Sequence, residues 1–159
     1  MDFVAPNPSA IEQSAIDAAN AAAAFDHEAA AVVEGFMKTY MTDVDAAVDN
    51  FSAEDCVYTL HMAETDAPVG GRTEGREAIR AALLNYREIF EFILFEGRTM
   101  SAVDGVVRQR LEFMLRHRAS NERWSGIGRF VWTVRDGRIV ACEEYQDTAK
   151  LAAFFRFFE

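Results

Sequence analysis

The segment RWSGIGRFVWTVRDGRIVACEEY, residues 123–145, predicts two antiparallel β-strands joined by a two-residue turn. Both flanks are rich in aromatic and β-branched residues, and Asp136-Gly137 between them is the strongest hairpin signal in the chain. In the first strand, one face alternates large rings with glycine. The two glycines leave room for a ligand, or they mark a bend in the strand or the close approach of a helix. This face contains Trp124, Gly126, Gly128, Phe130 and Trp132.

Further strands and helices are predicted on both sides of this hairpin. Hydrophobic residues at three- and four-residue spacing predict helices, and runs of β-formers predict strands. Helices followed by consecutive antiparallel strands indicate an α+β fold, in which a curved, mainly antiparallel sheet wraps around helices as a cone with an internal pocket. The predicted strands are 56–62, 92–100, 105–117, 123–134 and 138–145, and the predicted helices are 26–40, 43–51, 75–90 and 148–158, with a loop over 63–75.

The N-terminal region differs in composition from the rest of the chain. Residues 1–8 contain two of the three prolines and predict a loose tail, and residues 9–25 predict an alanine-rich helix with an N-cap near Ser9. Asp26 is a favourable N-cap, so a separate helix is expected to begin there. We therefore expect a tail and helical arm over residues 1–26 and a single domain over 27–159.

Charge and cysteine content exclude several classes of function. The net charge is −10, from 16 basic and 26 acidic residues, which disfavours nucleic acid and anionic membranes as partners. The sequence contains neither a signal-peptide pattern nor an apolar run long enough to span a membrane. Cys56 and Cys142 are too few for a disulfide framework or a zinc site. We expect a cytoplasmic protein that uses no metal and no organic cofactor.

Short motifs along the chain occur in a defined order. They are the helix end at Tyr40, Asp45, residues 51–58, Gly75-Arg76-Glu77-Ala78-Ile79, residues 134–139 and Glu144-Tyr145-Gln146-Asp147. In this order they resemble the nuclear-transport-factor-2-like superfamily, and most of all its SnoaL-like polyketide cyclase and ketosteroid isomerase-like branch. The resemblance implies a cystatin-like α+β roll, a hydrophobic small-molecule substrate or ligand, and a homodimer. It does not specify an activity, because the superfamily includes isomerases, dehydratases, cyclases, epoxide hydrolases and non-catalytic binders.

Tyr40 ends the apolar stripe of its helix, so its ring is expected inside. The resemblance matches it to the tyrosine with which ketosteroid isomerase stabilises an oxyanion, and a buried phenol can polarise a carbonyl. The alternative is a core tyrosine whose hydroxyl bonds to backbone or water. The two aspartates of that isomerase would fall at Leu60 and near Phe130, and neither of these side chains can move a proton.

Two other residues could move a proton. Glu143 and Glu144 are adjacent in a predicted strand, so one faces inward, and an inward Glu144 among aromatic rings would have a raised pKa. His61 alternates with Leu60 and Met62, so one strand register places it inside as a general base and the other places it outside.

Arg110 and Glu112 could form a further set with Glu144. Arg110-Leu111-Glu112 resembles the Arg-x-Asp pair of limonene epoxide hydrolase, in which arginine keeps one carboxylate ionised while another stays protonated. However, strand alternation assigns both residues to a polar face, which is expected to face solvent.

The sequence therefore predicts a small-molecule enzyme that performs cofactor-free acid–base chemistry, namely cyclisation, isomerisation, dehydration or epoxide hydrolysis, on a hydrophobic substrate. The alternatives are a non-catalytic small-molecule-binding domain or an oligomerising domain of the same fold. Tyr40, His61 and Glu144 are the candidate catalytic residues. The expected pocket residues are Tyr58, Leu60, Met62, Phe113, Trp124, Phe130 and Trp132.

Overall fold

The computed structural model describes residues 9–62 and 70–156 and confirms the α+β fold. The predicted tail at residues 1–8, most of the predicted loop and the end of the last predicted helix lie outside the described residues. The helices are α1 (Ala10–Tyr40), α2 (Val44–Phe51), α3 (Arg76–Ile89) and α4 (Thr148–Arg156). The strands are β1 (Ser52–Leu60), β2 (Gly71–Glu74), β3 (Phe90–Val103), β4 (Val106–His117), β5 (Arg123–Arg135) and β6 (Arg138–Tyr145).

All six strands form one sheet, in the order β2-β1-β6-β5-β4-β3. Every neighbouring pair is antiparallel except β1 and β6, which are parallel. The register shifts within the β1–β6, β3–β4 and β5–β6 pairs, and such irregularities increase the local twist of a sheet. Helix α1 packs against β3 and β4, and α3 packs against β1, so the helices cover one face of the curved sheet.

The predicted hairpin between β5 and β6 is confirmed. Asp136 and Gly137 have φ angles of 49° and 71°, the left-handed conformation that a two-residue type I′ turn requires at both positions. A second Asp-Gly pair, Asp104-Gly105, joins β3 to β4 with φ angles of 52° and 72°. These two turns set the registers of the long strands that form the pocket wall.

Helix α1 is continuous across Asp26, so the expected helix start at that residue is wrong. Ser9 is the actual N-cap, and it forms a capping box with Glu12. The carboxylate of Asp26 instead accepts a hydrogen bond from the Gly105 backbone N–H at 3.2 Å, which ties the helix to the β3–β4 turn. The alanines before Asp26 have high helix propensity, so nothing interrupts the helix there. Residues 10–25 are exposed, whereas the buried side chains of α1 begin at Ala29.

Strand β2 was not predicted, because its residues were assigned to a glycine-rich loop. It pairs antiparallel with β1, with Thr73 opposite Tyr58, and forms one edge of the sheet. Among the described residues, no helix is long and apolar enough to cross a bilayer.

Candidate functional site

A cavity of about 180 Å³ lies between helices α1 and α3 and the covered face of the sheet. Its wall is mostly apolar, and every strand of the sheet contributes to it. Among the described residues, Glu144 is the only Asp, Glu, Lys, Arg or His side chain that lines the cavity. The candidate site is therefore centred on this carboxyl group.

Glu144 lies near the end of β6 and is 7% exposed. Its neighbour Glu143 faces the other side of the sheet, as the alternation of a strand requires. Burial raises the pKa of Glu144 above its ordinary value, and hydrogen bonds from Tyr58 and Gln146 oppose this rise by favouring the ionised form. A carboxyl group in this environment can take up or release a proton closer to neutral pH than an exposed glutamate can.

Tyr58 and Gln146 hold the two oxygens of Glu144. The Tyr58 hydroxyl donates to Oε2, and the Gln146 side-chain amide donates through Nε2 to Oε1. Tyr58 is on β1, which runs parallel to β6, with Leu60 directly opposite Glu144. Gln146 follows β6 immediately, where Asp147 caps helix α4 by accepting a hydrogen bond from the Lys150 backbone N–H at 3.0 Å. The carboxyl group is thus fixed in both position and orientation.

Two further phenols, Tyr40 on α1 and Tyr86 on α3, also line the cavity. Burial raises the pKa of both hydroxyls, and the negative charge of Glu144 adds to this rise. For Tyr40, the positive charge of Arg87 acts in the opposite direction. Among the described residues neither hydroxyl has a hydrogen-bond partner. Both phenols are therefore protonated donors available to a bound molecule.

The Tyr40 ring is held in a cage of phenylalanines. It stacks on Phe36 with a centroid distance of 6.0 Å and meets Phe92 and Phe95 edge-on at 5.8 and 5.9 Å. The guanidinium group of Arg87 lies 4.6 Å from the centroid of the Phe92 ring and 5.9 Å from that of Tyr40. This packing fixes the direction of the Tyr40 hydroxyl but forms no hydrogen bond with it.

Most of the expected pocket residues line the cavity, and two do not. Met62 is half-buried against the core, just past the end of β1. Trp124 is buried, but its ring packs at 4.7 Å from Phe113 and at 6.0 Å from Phe154 and does not line the cavity. The expected residues that line the cavity are Tyr58, Leu60, Phe113, Phe130 and Trp132.

His61 lies on the outer surface, so its expected role as an internal base does not fit the structure. Strand alternation places Leu60 inside, which turns the next residue outward. The His61 ring stacks on Tyr145 with a centroid distance of 4.3 Å, and its Nε2 lies 3.8 Å from a carboxylate oxygen of Glu143. Its contacts are with surface residues of β6.

Arg110 and Glu112 lie on the outer face of the sheet, as strand alternation predicts, so the alternative set with Glu144 does not form. Their side chains are 43% and 57% exposed, and Arg110 Nη1 lies 3.6 Å from Glu112 Oε2. The intervening Leu111 faces the cavity. Strand alternation separates the Arg110–Glu112 pair from Glu144 by the thickness of the sheet.

The two glycines of β5 have different surroundings. A Cβ atom at Gly126 would lie 3.0 Å from Cζ of Phe113, so the space beside this glycine is filled by the Phe113 ring. A Cβ atom at Gly128 would lie 3.7 Å from Leu111 and Gln146, in ordinary contact. Gly126 therefore admits a ring that lines the cavity, and Gly128 lies beside the amide that holds Glu144.

Sequence reasoning missed both Gln146 and Tyr86 as site residues. The signal for Tyr86 was its position on the apolar stripe of α3. No sequence signal assigned Gln146 to the cavity, because it lies in a connection where strand alternation has ended. In the part of the chain that the structure describes, no group of three or more His, Cys, Asp or Glu residues is arranged to hold a metal ion.

Comparison with known proteins agrees with this architecture. No curated protein matches the chain in sequence. An NTF2-like protein from Burkholderia xenovorans LB400 is 23% identical, with a TM-score of 0.70 over 80% of this chain and 95% of that one. A candidate SnoaL-like polyketide cyclase from Mesorhizobium loti is 20% identical, with a TM-score of 0.62 over 74% and 97%. TerC, co-crystallised with polyporic acid, is 14% identical, with a TM-score of 0.67 over 81% and 96%.

Identities this low establish a shared fold and leave activity open. The sequence comparison goes further, because residues 33–142 match the family model of the SnoaL-like domain. This match begins within α1 and ends on β6, and it includes Tyr40, Tyr58 and Tyr86 of the cavity wall. Since it spans more than half of the chain, the protein belongs to the SnoaL-like domain family.

Proposed function

We propose that the protein is a cofactor-free enzyme that transfers protons on a hydrophobic carbonyl compound, with Glu144 as the base. The observation that carries the proposal is a buried carboxyl group with a raised pKa, the only one in the described wall of a mostly apolar cavity. A general base works best when its pKa lies near the working pH, and burial moves Glu144 in that direction.

The free phenols supply the second half of the reaction. Glu144 would take a proton from the carbon next to a carbonyl, and the carbonyl oxygen would gain negative charge as the enolate forms. Tyr40 and Tyr86 would donate hydrogen bonds to that oxygen, because their raised pKa values keep the hydroxyls protonated. When the enolate is conjugated with a neighbouring double bond, return of the proton from Glu144 to the far carbon gives an isomerisation. When the enolate attacks a second carbonyl of the same molecule, a carbon–carbon bond forms, the new alkoxide takes the proton from Glu144, and the product is cyclised.

The size of the cavity limits the substrate. Its volume of about 180 Å³ is slightly larger than the roughly 150 Å³ cavity that binds benzene in another protein, and smaller than the 300 Å³ or so typical of drug-sized sites. A molecule of about one ring with small substituents matches this volume. The apolar wall favours a neutral ring.

A second candidate is a binding protein with no chemistry. The observation in its favour is that both oxygens of Glu144 already accept hydrogen bonds, from Tyr58 and Gln146. A carboxylate held in this way could serve only to orient a ligand. The open cavity favours either of these candidates over a purely oligomerising domain, which would not need one.

Exchange of carbon-bound protons for deuterium separates the two candidates. Acetophenone carries one ring, one carbonyl and exchangeable methyl protons, and NMR in deuterated buffer measures their exchange. Exchange above the buffer rate, saturable in acetophenone, supports the enzyme. Saturable binding by calorimetry with exchange at the buffer rate supports the binding protein and contradicts the proposed catalysis.

A further inference from the structure

We infer that Arg87 makes Tyr40, rather than Tyr86, the principal hydrogen-bond donor to the carbonyl oxygen of a bound molecule. Arg87 lies on α3 and does not line the cavity, so it acts through Tyr40 as a positioning residue. The inference rests on the proposed function in using the same cavity and the same bound carbonyl compound. It goes further by separating the roles of the two phenols and by assigning a role to a residue outside the cavity wall.

The guanidinium group of Arg87 is held over two aromatic rings. Its Cζ lies 4.6 Å from the centroid of the Phe92 ring and 5.9 Å from that of the Tyr40 ring. Nη2 donates a hydrogen bond at 3.2 Å to the carbonyl of Met41, just past the end of α1, where helix carbonyls lack partners within the helix. The backbone carbonyl of Arg87 accepts a hydrogen bond from Nε of Arg118 at 3.2 Å. The positive charge is therefore fixed beside Tyr40.

The charge of Arg87 is not neutralised by a described residue. No described carboxylate forms an ion pair with it. Nη1 is buried, and no described residue accepts a hydrogen bond from it. A partly buried charge without a counter-ion acts on its neighbours more strongly than an exposed or paired one, because water and salt screen it less. The Tyr40 ring lies within the roughly 6 Å over which a cation acts on an aromatic face.

The two phenols of the cavity therefore differ. Burial raises the pKa of Tyr40, and the positive charge of Arg87 opposes this rise by more than Glu144 adds to it. Burial also raises the pKa of Tyr86, and the negative charges of Glu144 and Tyr40 add to this rise, with no described cation in opposition. A more acidic hydroxyl is a stronger hydrogen-bond donor, so Tyr40 is the better partner for an oxygen that gains negative charge.

Fluorine NMR of a labelled tyrosine measures this difference directly. 3,5-Difluorotyrosine ionises at lower pH than tyrosine, so its titration can be followed in the folded protein when it replaces Tyr40 or Tyr86. In the otherwise wild-type protein, the label at position 40 is expected to ionise at lower pH than the label at position 86. Equal pKa values or the reverse order would contradict the inference, whatever the variants at Arg87 do.

Arg87→Gln removes the charge and keeps an amide that can donate to the Met41 carbonyl. It is expected to lower the acid dissociation constant of the label at position 40 between about two- and thirtyfold, the range that cation–π energies give. The label at position 86 should change less. Arg118→Gln, which removes an exposed arginine bonded to the same turn of α3, is the matched control and should change neither.

Arg87→Lys restores a positive charge and should return the label at position 40 toward its wild-type pKa. If Arg87→Gln and Arg87→Lys raise that pKa equally, the effect comes from packing and the inference is wrong. It is also wrong if Arg87→Gln leaves the label at position 40 unchanged or shifts both labels equally.

Binding and exchange then show whether the stronger donor is the one that the ligand uses. By calorimetry, Tyr40→Phe should weaken acetophenone binding more than Tyr86→Phe does, and an equal loss would contradict the inference. Arg87→Gln should lower kcat for acetophenone exchange in the wild-type background and have no further effect on Tyr40→Phe, because the group through which it acts is absent. The same loss in both backgrounds would place the effect of Arg87 elsewhere.

The labels and the calorimetry require no catalysis, so the two proposals can fail separately. The expected order of pKa values and of binding losses, without exchange by the wild type, supports the inference and contradicts the enzyme. Exchange by the wild type with equal pKa values at the two positions supports the enzyme and contradicts the inference.

Discussion

The Tyr58 hydroxyl donates a hydrogen bond to Oε2 of Glu144 across the parallel pair of strands β1 and β6. This bond joins the only parallel pairing within the described sheet to the only carboxyl group in the described cavity wall. Burial alone would favour a neutral Glu144, and the hydrogen bond opposes that effect. Tyr58 therefore lowers the pH at which Glu144 ionises.

Tyr58→Phe should move the activity to higher pH. The hydrogen bond from Tyr58 lowers the pKa of Glu144, so its loss raises that pKa further, and the base form appears only at higher pH. In a plot of kcat/KM for acetophenone exchange against pH, the rising limb is expected to move to higher pH. A limb that stays in place or moves to lower pH would show that Tyr58 does not tune the base.

Glu144→Gln should stabilise the fold, and increasingly so as pH rises. The pKa of Glu144 is raised in the folded state, so the unfolded chain loses its proton first as pH increases. Stability of the wild type falls between the ordinary and the raised pKa and stays lower above it, whereas the glutamine variant has no proton to lose.

Thermal unfolding from acidic to mildly alkaline pH measures this effect. The Tm difference between Glu144→Gln and wild type should be small in acid and grow with pH, by about 2–4 °C for each kcal/mol. Glu143→Gln, on the exposed face, is the control and should show no such trend. A difference independent of pH would mean that Glu144 is not titrating in the folded state.

Tyr40→Phe and Tyr86→Phe should each lower kcat without unfolding the protein. Each variant removes a donor that the enolate oxygen needs, and loss of one such donor costs roughly 10²–10³-fold in other enzymes. Exchange kinetics with circular dichroism as the folding check would measure the effect. Tyr145→Phe is the control, because that hydroxyl donates to Glu143 on the outer face. An unchanged kcat in both inner variants would remove the phenols from the mechanism.

Gly126→Ala should weaken ligand binding, whereas Gly128→Ala should alter packing little. A Cβ atom at Gly126 would meet Cζ of Phe113 at 3.0 Å, so the ring must shift within the cavity wall. The expected cost is about 1 kcal/mol of stability, and affinity for acetophenone should fall. Calorimetry and thermal unfolding of the two variants test this. Equal effects at both glycines would mean that Phe113 does not shape the cavity.

Local signals predicted much of the fold. Asp136-Gly137 and the alternation of β5 identified the hairpin and its inner face, because turn chemistry and a period of two are properties of neighbouring residues. Asp26 was misassigned as a helix start, since its bond to Gly105 depends on a turn nearly 80 residues away. The homodimer that the resemblance implies stays a prediction, and Ile127 on the outer face of the sheet is 53% exposed.

The site was harder to predict than the fold. The adjacency of Glu143 and Glu144 predicted that one of the two carboxyl groups is internal, but only the strand register in the structure shows that it is Glu144. The register also places His61 on the outer surface. The position of Gln146 in the cavity wall depends on how the helices pack against the sheet. The same packing leaves the Tyr40 and Tyr86 hydroxyls without hydrogen-bond partners among the described residues. No pattern along the chain contains that information.

The most direct test of the central claim is acetophenone proton exchange by Glu144→Gln beside Glu143→Gln. The two substitutions remove the same charge from adjacent residues of one strand, and only Glu144 lines the cavity. Exchange should fall by roughly 10²–10⁴-fold in Glu144→Gln, the usual contribution of a general base, and stay at the wild-type rate in Glu143→Gln. Wild-type exchange by a folded Glu144→Gln variant would contradict the assignment of Glu144 as the base.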